Sequence, residues 1–173
     1  IKRRLGSKLR GLDLTVRSQI PVGSGLASSA AIEVAFATLL NHVCGLGFDR
    51  REIAEISFEA ENKEMGIPCG RLDQYGSSFG GVIKLECRPP YSVEELPFRE
   101  LTFAIIDSGI RHSTGEIHPK RQAEIERGLK ILMEAESVPE DLKAKLGYRC
   151  NQPLWEKISE TEIMPHLELL NKE

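Results

Sequence analysis

Apolar and polar residues alternate from Leu12 to Ser18, which is the pattern of a half-buried β-strand. From Ser28 to about His42 the apolar residues follow helical spacing on nearly every side, and they predict a buried central helix. Asp49 and Glu52 have the spacing of a capping box. They predict a second helix from about Arg50 to Met65.

The pattern beyond this point predicts further helices and strands. A short helix is expected from Leu72 to Phe79, and a strand from Val82 to Cys87. Prolines between residues 88 and 97 indicate a loop or a sheet edge. β-Branched residues from Leu101 to Asp107 predict a buried strand, and Pro119 suits the first turn of a long helix after a polar loop. Together these elements predict an α/β (α+β) domain.

Composition excludes several classes of partner. The chain has 173 residues and a formal net charge of -3, so neither nucleic acid nor an anionic membrane surface is expected to attract it. No apolar run is long enough to span a bilayer, and the four cysteines form no CxxC pair. We therefore expect a cytoplasmic protein with free thiols. Because the first residue is Ile1, the chain is expected to begin inside a longer protein.

The segment from Pro21 to Ala31 reads PVGSGLASSAA and joins a glycine-rich turn directly to a helix. Glycines let a ligand approach the main chain, and the first turn of a helix offers unpaired N–H groups at the positive end of its dipole. These features predict a phosphate site. The alternatives are a plain turn and a helix cap formed by Ser28. The spacing is neither that of a Walker A loop nor that of a nucleophile elbow.

Two acidic residues flank a glycine- and proline-containing turn over residues 66–70. Glu61 lies near the end of one predicted helix, and Asp73 lies near the start of the next. If the turn brings both toward the glycine-rich loop, Glu61 and the Ser29 hydroxyl suit a Mg²⁺ ion bound to a nucleotide triphosphate. Asp73 would then accept or orient the proton of an alcohol acceptor. The alternatives are that Asp73 caps its helix and that Glu61 is a solvated surface acid.

Three segments, in this order, resemble motifs of the GHMP kinases, the superfamily of galactokinase, homoserine kinase, mevalonate kinase and phosphomevalonate kinase. Residues 21–30 resemble the phosphate-binding second motif. Residues 66–74, GIPCGRLDQ, are similar to the Gly-x-Pro-Cys-Gly-x-x-Asp-Gln signature of galactokinases, where mevalonate kinases usually carry Pro-Ser-Gly-x-Asp. Residues 107–113 resemble the galactokinase segment that follows a core strand. The chain thus resembles the sugar-kinase branch.

The resemblance implies a fold like domain 2 of ribosomal protein S5 for a partial N-terminal, ATP-binding domain over residues 1–107. Residues 108–173 would then be a linking segment and the partial start of the C-terminal domain. The implied activity is ATP-dependent phosphorylation of a small sugar, galactose or a related hexose, at its anomeric hydroxyl, with ATP and Mg²⁺ as cofactors. The alternatives are another GHMP small-molecule kinase, such as mevalonate kinase, and a catalytically inactive binding or regulatory relative.

The resemblance also implies roles for single residues. Ser29 and Glu61 match the Mg²⁺ ligands, Asp73 matches the catalytic aspartate that faces the sugar hydroxyl, and Gly70 matches a glycine that lies against the sugar. The ATP-binding loop would consist of Pro21, Gly23, Ser24, Gly25, Leu26, Ala27, Ser28 and Ser29.

The sequence departs from the family pattern in several places. Ala27 stands where galactokinases usually have Ser or Gly, and residues 117–119 replace Glu-Tyr-Pro. The Arg-x-Glu-His-x-Asp substrate loop and the third, glycine-rich motif of the family have no counterpart in these 173 residues. We therefore expect this chain to carry the nucleotide and metal side of a site and little of the part that selects the sugar.

Overall fold

The computed structural model describes residues 11–98, 100–107, 109–110 and 114–172. The chain divides into two compact units, Ile1–Gly115 and Glu116–Glu173. The predicted division after residue 107 lies close to this boundary. The assignment of the two units to kinase domains stays a prediction.

The first unit begins with helices that lie where the sequence predicts them. Asp49 and Glu52 form the expected capping box, in which the Asp49 carboxylate accepts from the Glu52 N–H at 2.8 Å and the Glu52 carboxylate accepts from the Asp49 N–H at 2.9 Å. The predicted second helix changes geometry near its end, where a π-helical turn replaces the α-helix. These elements are α1 (Ser28–Cys44), α2 (Arg50–Glu59), the π-turn (Ala60–Glu64) and α3 (Leu72–Phe79).

Helix α1 buries one face and leaves another apolar face open. Val34 and Ala37 pack with Ile53 of α2 and with Phe48 in a small core. Ile32 and Phe36, on the other side of α1, are exposed. The prediction of a helix buried on most sides is therefore wrong for the described residues, because α2 and α3 contact only part of its surface.

The described residues contain one small antiparallel sheet. Strand β1 (Val82–Glu86) confirms the predicted strand, and it pairs with β2 (Ser92–Leu96) in a hairpin. Lys84 lies opposite Glu94, a pairing of unlike charges that favours this register. The sequence prediction missed β2, since its polar residues lie within a proline-rich stretch. The described residues thus combine helices with a two-stranded sheet, an α+β composition.

Two predicted strands are wrong. Residues 12–18 and 101–107 have no regular secondary structure, and Val16 and Ile106 are 63% and 88% exposed. A strand requires a hydrogen-bonded neighbour, and the described residues provide none for either segment. The alternation of apolar and polar residues and the β-branched content predict which segments suit a sheet. They do not predict whether a neighbouring strand is present to pair with. Residues 108 and 111–113 of the predicted polar loop and of the third motif lie outside the described residues.

The second unit consists of helices around its own core. Helix α4 begins at Thr114, so Pro119 lies inside it rather than in its first turn as predicted. Residues after Val138, predicted to be only weakly helical, form four short helical elements. The core contains Leu129, Leu132, Val138, Leu142 and Leu146. The elements are α4 (Thr114–Glu134), α5 (Glu140–Leu146), a 3₁₀ turn (Trp155–Lys157), α6 (Glu160–Ile163) and a second 3₁₀ segment (Met164–Lys172).

Among the described residues, no helix is both long and apolar enough to cross a membrane.

A capping box at the start of α6 fixes the position of a surface carboxylate. Glu162 accepts a hydrogen bond from the Ser159 N–H at 2.7 Å, and the Ser159 hydroxyl accepts from the Glu162 N–H at 3.3 Å. The Lys145 ammonium also donates to Glu162. These donors, Lys145 foremost, lower the pKa of Glu162 from 4.5 to about 2.

Glu162→Gln is expected to reduce the urea midpoint of unfolding near neutral pH. The folded-state pKa is depressed, so the stabilisation is present above pH 4.5 and is lost as the pH falls toward 2. Urea titrations monitored by circular dichroism would show the difference from wild type shrinking across that interval. Glu160→Gln, at an exposed position in the same helix, is the control. A difference between Glu162→Gln and wild type that does not change with pH would contradict the assignment.

Candidate active site

The glycine-rich turn before α1 has the backbone geometry that its glycines permit. Gly23 and Gly25 have φ angles of 69° and 75°, in the region that favours glycine. The Ser24 hydroxyl donates to the Pro21 carbonyl at 2.6 Å, which closes the turn. The predicted turn is therefore present, with its main chain near the surface.

Helix α1 starts directly from this turn. Ala27 is the N-cap and makes no side-chain cap hydrogen bond, and Ser28 is the first helical residue, so the alternative that Ser28 caps the helix is wrong. The first backbone bond of the helix runs from the Ala31 N–H to the Ala27 carbonyl at 3.0 Å. The N–H groups of residues 28–30 precede that bond, as an anion site requires.

A cavity of about 470 Å³ opens beside the start of α1. Ser28 and Ser29 line it, together with Arg17, Ser18 and apolar residues of the 16–22 segment. Ser29 is exposed, so its hydroxyl is accessible to a ligand. The volume falls within the range of small-molecule sites.

Glu61 lies in the π-turn and is 5% exposed, so the alternative of a solvated surface acid is wrong. The Met65 N–H donates to the Ala60 carbonyl at 3.1 Å, which is the wide bond of a π-helix. A π-turn shifts the direction of the side chains relative to the preceding α-helix, and such turns are frequent at functional sites. The sequence pattern gave no sign of this turn.

Gln74 joins three elements at one point. This fully buried side chain lies on α3. Its amide nitrogen donates to Glu61 on the π-turn at 2.6 Å and to Glu33 on α1 at 3.4 Å. Glu33 follows Ser29 by one helical turn and so lies on the same side of α1. The structure therefore brings the end of the π-turn next to the first turns of α1.

Asp73 precedes Gln74 and is exposed in the first turn of α3. Arg71 is the N-cap of this helix, so the alternative that Asp73 caps it is wrong. Gly70 lies in the turn before it, where an added Cβ would meet nothing within 4 Å. Both predicted substrate residues are thus accessible on the same short segment.

The environment of buried Glu61 and partly buried Glu33 is electrostatically negative. Burial foremost, and then the charge of Glu61, raise the pKa of Glu33 to about 7, while the hydrogen bond from Gln74 opposes the shift. Burial and the charge of Glu61 likewise raise the pKa of the Cys69 thiol to about 11. The side chain of Asn62 donates to the Cys69 carbonyl at 3.1 Å and holds the turn against the π-turn. Within the described residues neither Glu33 nor Glu61 forms an ion pair.

A separate charged cluster fixes the start of α3. The guanidinium of Arg71 lies between the rings of Phe58 and Tyr91, 3.9 Å and 4.0 Å from their centroids. Its Nε donates to Glu55 at 2.9 Å, and the Tyr75 hydroxyl donates to the same carboxylate at 2.8 Å. Burial foremost, and then Glu55, raise the pKa of Tyr75 to about 12, so the hydroxyl remains a donor.

Comparison with known proteins gives the family. Residues 1–81 match the family "GHMP kinases N terminal domain". The chain belongs to the GHMP kinases. It is 32% identical to a galactokinase of Thermococcus kodakarensis over 162 residues, and these matched residues make up 86% of the chain and 46% of that relative. It is 42% identical to an L-arabinokinase of Arabidopsis thaliana over 109 residues, and these matched residues make up 60% of the chain and 10% of that relative.

This GHMP kinase chain spans about half the length, or less, of the relatives it matches. A galactokinase of Clostridium tetani is 28% identical over 173 residues, which is 96% of the chain and 42% of that relative. A comparison with solved structures gave no match.

The donor set fits the Mg²⁺ ion that GHMP kinases generally use. Glu61 offers a carboxylate and Ser29 an exposed hydroxyl, both oxygen donors of the kind that Mg²⁺ prefers. The Oε1 atom of Gln74 is buried beside Glu61 without a hydrogen-bond partner in the described residues. No group of three or more His, Cys, Asp or Glu side chains in the described residues could hold a metal.

Reasoning from the sequence missed Glu33 and Gln74 as members of the candidate site. One signal was available for each. Glu33 is a single charged residue within an apolar helical run, one turn after Ser29. Gln74 directly follows the predicted catalytic aspartate. The cluster of Glu55, Arg71 and Tyr75 gave no local signal, because its members come from separate elements.

The backbone of Ala27 is strained. Its φ is 55°, and it is the sole non-glycine residue of the described chain with a positive φ. This conformation costs an L-residue roughly 1–2 kcal/mol. Strain of this kind often marks a functional loop.

Ala27→Gly is expected to stabilise the protein by about 0.5–1 kcal/mol, because glycine adopts the left-handed conformation without the Cβ clash. Thermal unfolding of the full-length protein would show a small rise in Tm. Ala35→Gly, at an exposed position within α1, is the control and is expected to destabilise by about 1 kcal/mol. A lower Tm for Ala27→Gly would show that the loop does not hold this strain.

Proposed function

We propose that the full-length protein transfers the terminal phosphoryl group of ATP to a small sugar, galactose or a related hexose, at its anomeric hydroxyl. One observation carries the proposal: Gln74 contacts both Glu61 and Glu33. It holds α3, which bears Asp73, next to the helix that begins at the glycine-rich turn. The relatives named galactokinase and L-arabinokinase support a sugar as the acceptor.

The glycine-rich turn supplies the nucleotide part of the proposed site. The N–H groups at the start of α1 would contact the triphosphate of ATP, with residues 21–29 forming the loop around it. Ser29 and Glu61 would hold the Mg²⁺ ion. That ion, when bound, neutralises negative charge on the phosphates. Such a site contributes mainly by positioning and electrostatic stabilisation.

The segment from Gly70 to Asp73 supplies the acceptor part. Asp73 is exposed and would accept or orient the proton of the sugar hydroxyl. The open space beside Gly70 leaves room for the sugar to approach the main chain. Arg71, held between two aromatic rings, fixes the direction in which this segment leaves the turn.

We also infer that the first unit has the fold of domain 2 of ribosomal protein S5 and is part of the N-terminal kinase domain. The second unit would then begin the C-terminal domain. The family match over residues 1–81 and the boundary after residue 115 support this division.

L-Arabinose is a second candidate acceptor, and one observation favours it. The L-arabinokinase of Arabidopsis thaliana is 42% identical over its matched residues, against 32% for the galactokinase of Thermococcus kodakarensis. Both candidates are sugars, so the same phosphoryl-transfer site would serve either.

Transfer of labelled phosphate from ATP by the full-length protein separates these acceptors. Galactose, L-arabinose, mevalonate and a no-acceptor control would be assayed with Mg²⁺ present. We expect a labelled sugar 1-phosphate from galactose or L-arabinose and none from mevalonate. The absence of any labelled sugar, in protein that binds MgATP, would contradict the proposal.

Asp73→Asn tests the role of the carboxylate in the same assay. We expect kcat to fall by roughly 10²-fold or more, with little change in MgATP affinity, because general-base assistance is lost. Asp141→Asn, an exposed aspartate in the first turn of α5, is the matched control and should leave kcat unchanged. Wild-type turnover in Asp73→Asn would remove this residue from the mechanism.

A further inference from the structure

Gln74 is a neutral side chain that bridges two acids inside the first unit. It is fully buried, and its amide nitrogen donates to Glu61 at 2.6 Å and to Glu33 at 3.4 Å. The two carboxylates belong to different elements, the π-turn and α1. An amide NH₂ has two donor hydrogens, one for each acceptor. The bridge therefore uses the full donor capacity of Gln74.

The contact with Glu61 indicates the orientation of this amide. A carboxylate accepts hydrogen bonds, so the NH₂ group faces Glu61 and the carbonyl oxygen faces elsewhere. That oxygen, Oε1, is buried and has no hydrogen-bond partner in the described residues. An unpaired buried carbonyl is unfavourable, so the position of Gln74 is explained by its contacts with the two acids and not by the stability of its own amide.

The two acids also have no ion-pair partner within the described part of the chain. Glu55, close by in α2, contrasts with them because Arg71 compensates its charge at 2.9 Å. Buried carboxylates are normally paired with a cation or a metal. A bound cation would supply the charge that no described residue supplies to Glu33 and Glu61.

We propose that Gln74 is a positioning residue that holds Glu61 and Glu33 as the two carboxylates facing a divalent cation. This inference rests on the proposed function, since the cation is the one that accompanies the nucleotide. It adds Glu33 and Gln74 to the residues that the sequence motifs predict.

Binding of Mn²⁺, as a paramagnetic substitute for Mg²⁺, tests the inference in the full-length protein. Free Mn²⁺ is measured by electron paramagnetic resonance in the presence of a non-hydrolysable ATP analogue. Gln74→Leu is expected to raise the Kd for Mn²⁺ about tenfold, the usual effect of losing a residue that orients a metal ligand. The matched control is Gln122→Leu, which removes a partly buried amide bonded to Cys150 and should leave the Kd unchanged.

A second variant keeps the test decisive. Glu33→Gln removes one carboxylate at a partly buried position and is expected to weaken Mn²⁺ binding severalfold. If Gln74→Leu folds, a Kd for Mn²⁺ within about twofold of the wild-type value would overturn the inference. If Gln74→Leu does not fold, the same result for Glu33→Gln would overturn it.

The assays separate this inference from the proposed function. If Gln74→Leu weakens Mn²⁺ binding but the wild-type protein phosphorylates no sugar, the positioning role stands and the proposed reaction is wrong. If a sugar is phosphorylated but the Kd for Mn²⁺ does not change in Gln74→Leu, the reaction stands and the positioning role is wrong.

Discussion

Burial of the Glu61 carboxylate is the constraint on which the arrangement of the first unit depends. A buried acid is unfavourable unless hydrogen-bond donors or a cation compensate it. Gln74 donates to it at 2.6 Å and so must remain buried beside it. This contact ties α3 to the π-turn, and the second bond of Gln74, to Glu33, ties both to α1. Helices α1 and α3, which are far apart along the chain, are thereby joined to the π-turn through one buried side chain.

The acids of the first unit differ in how their charge is compensated. The charge of Glu55 is compensated by Arg71, whose guanidinium lies between two aromatic rings, so this cluster is structural and complete. Glu33 and Glu61 accept hydrogen bonds from the amide of Gln74, and no cation among the described residues pairs with them. The first cluster fixes where α3 begins, and the second leaves negative charge beside an open helix terminus. A ligand that carries its own divalent cation would complete the second cluster.

Local signals in the sequence predicted the local structure well. Helices α1 and α3 and the capping box of α2 depend on residues within a few positions of one another, and all three are confirmed. The strands predicted at residues 12–18 and 101–107 are wrong, because a strand depends on a partner that its own sequence does not specify. The contacts of Gln74 span 13 and 41 residues, and no short motif contains that information. The motifs therefore name candidate site residues, whose roles stay predictions, but they did not predict the buried bridge between the π-turn, α1 and α3.

Mg²⁺-dependent binding of a non-hydrolysable ATP analogue, measured by calorimetry on the full-length protein, most directly tests whether Glu61 belongs to a nucleotide–metal site. Wild-type protein should bind the analogue more tightly with Mg²⁺ than with EDTA. In Glu61→Gln that gain should be lost, while Glu64→Gln, at an exposed position of the same π-turn, should keep it. A folded Glu61→Gln protein with the full Mg²⁺-dependent gain would contradict the placement of the metal and the nucleotide at this site.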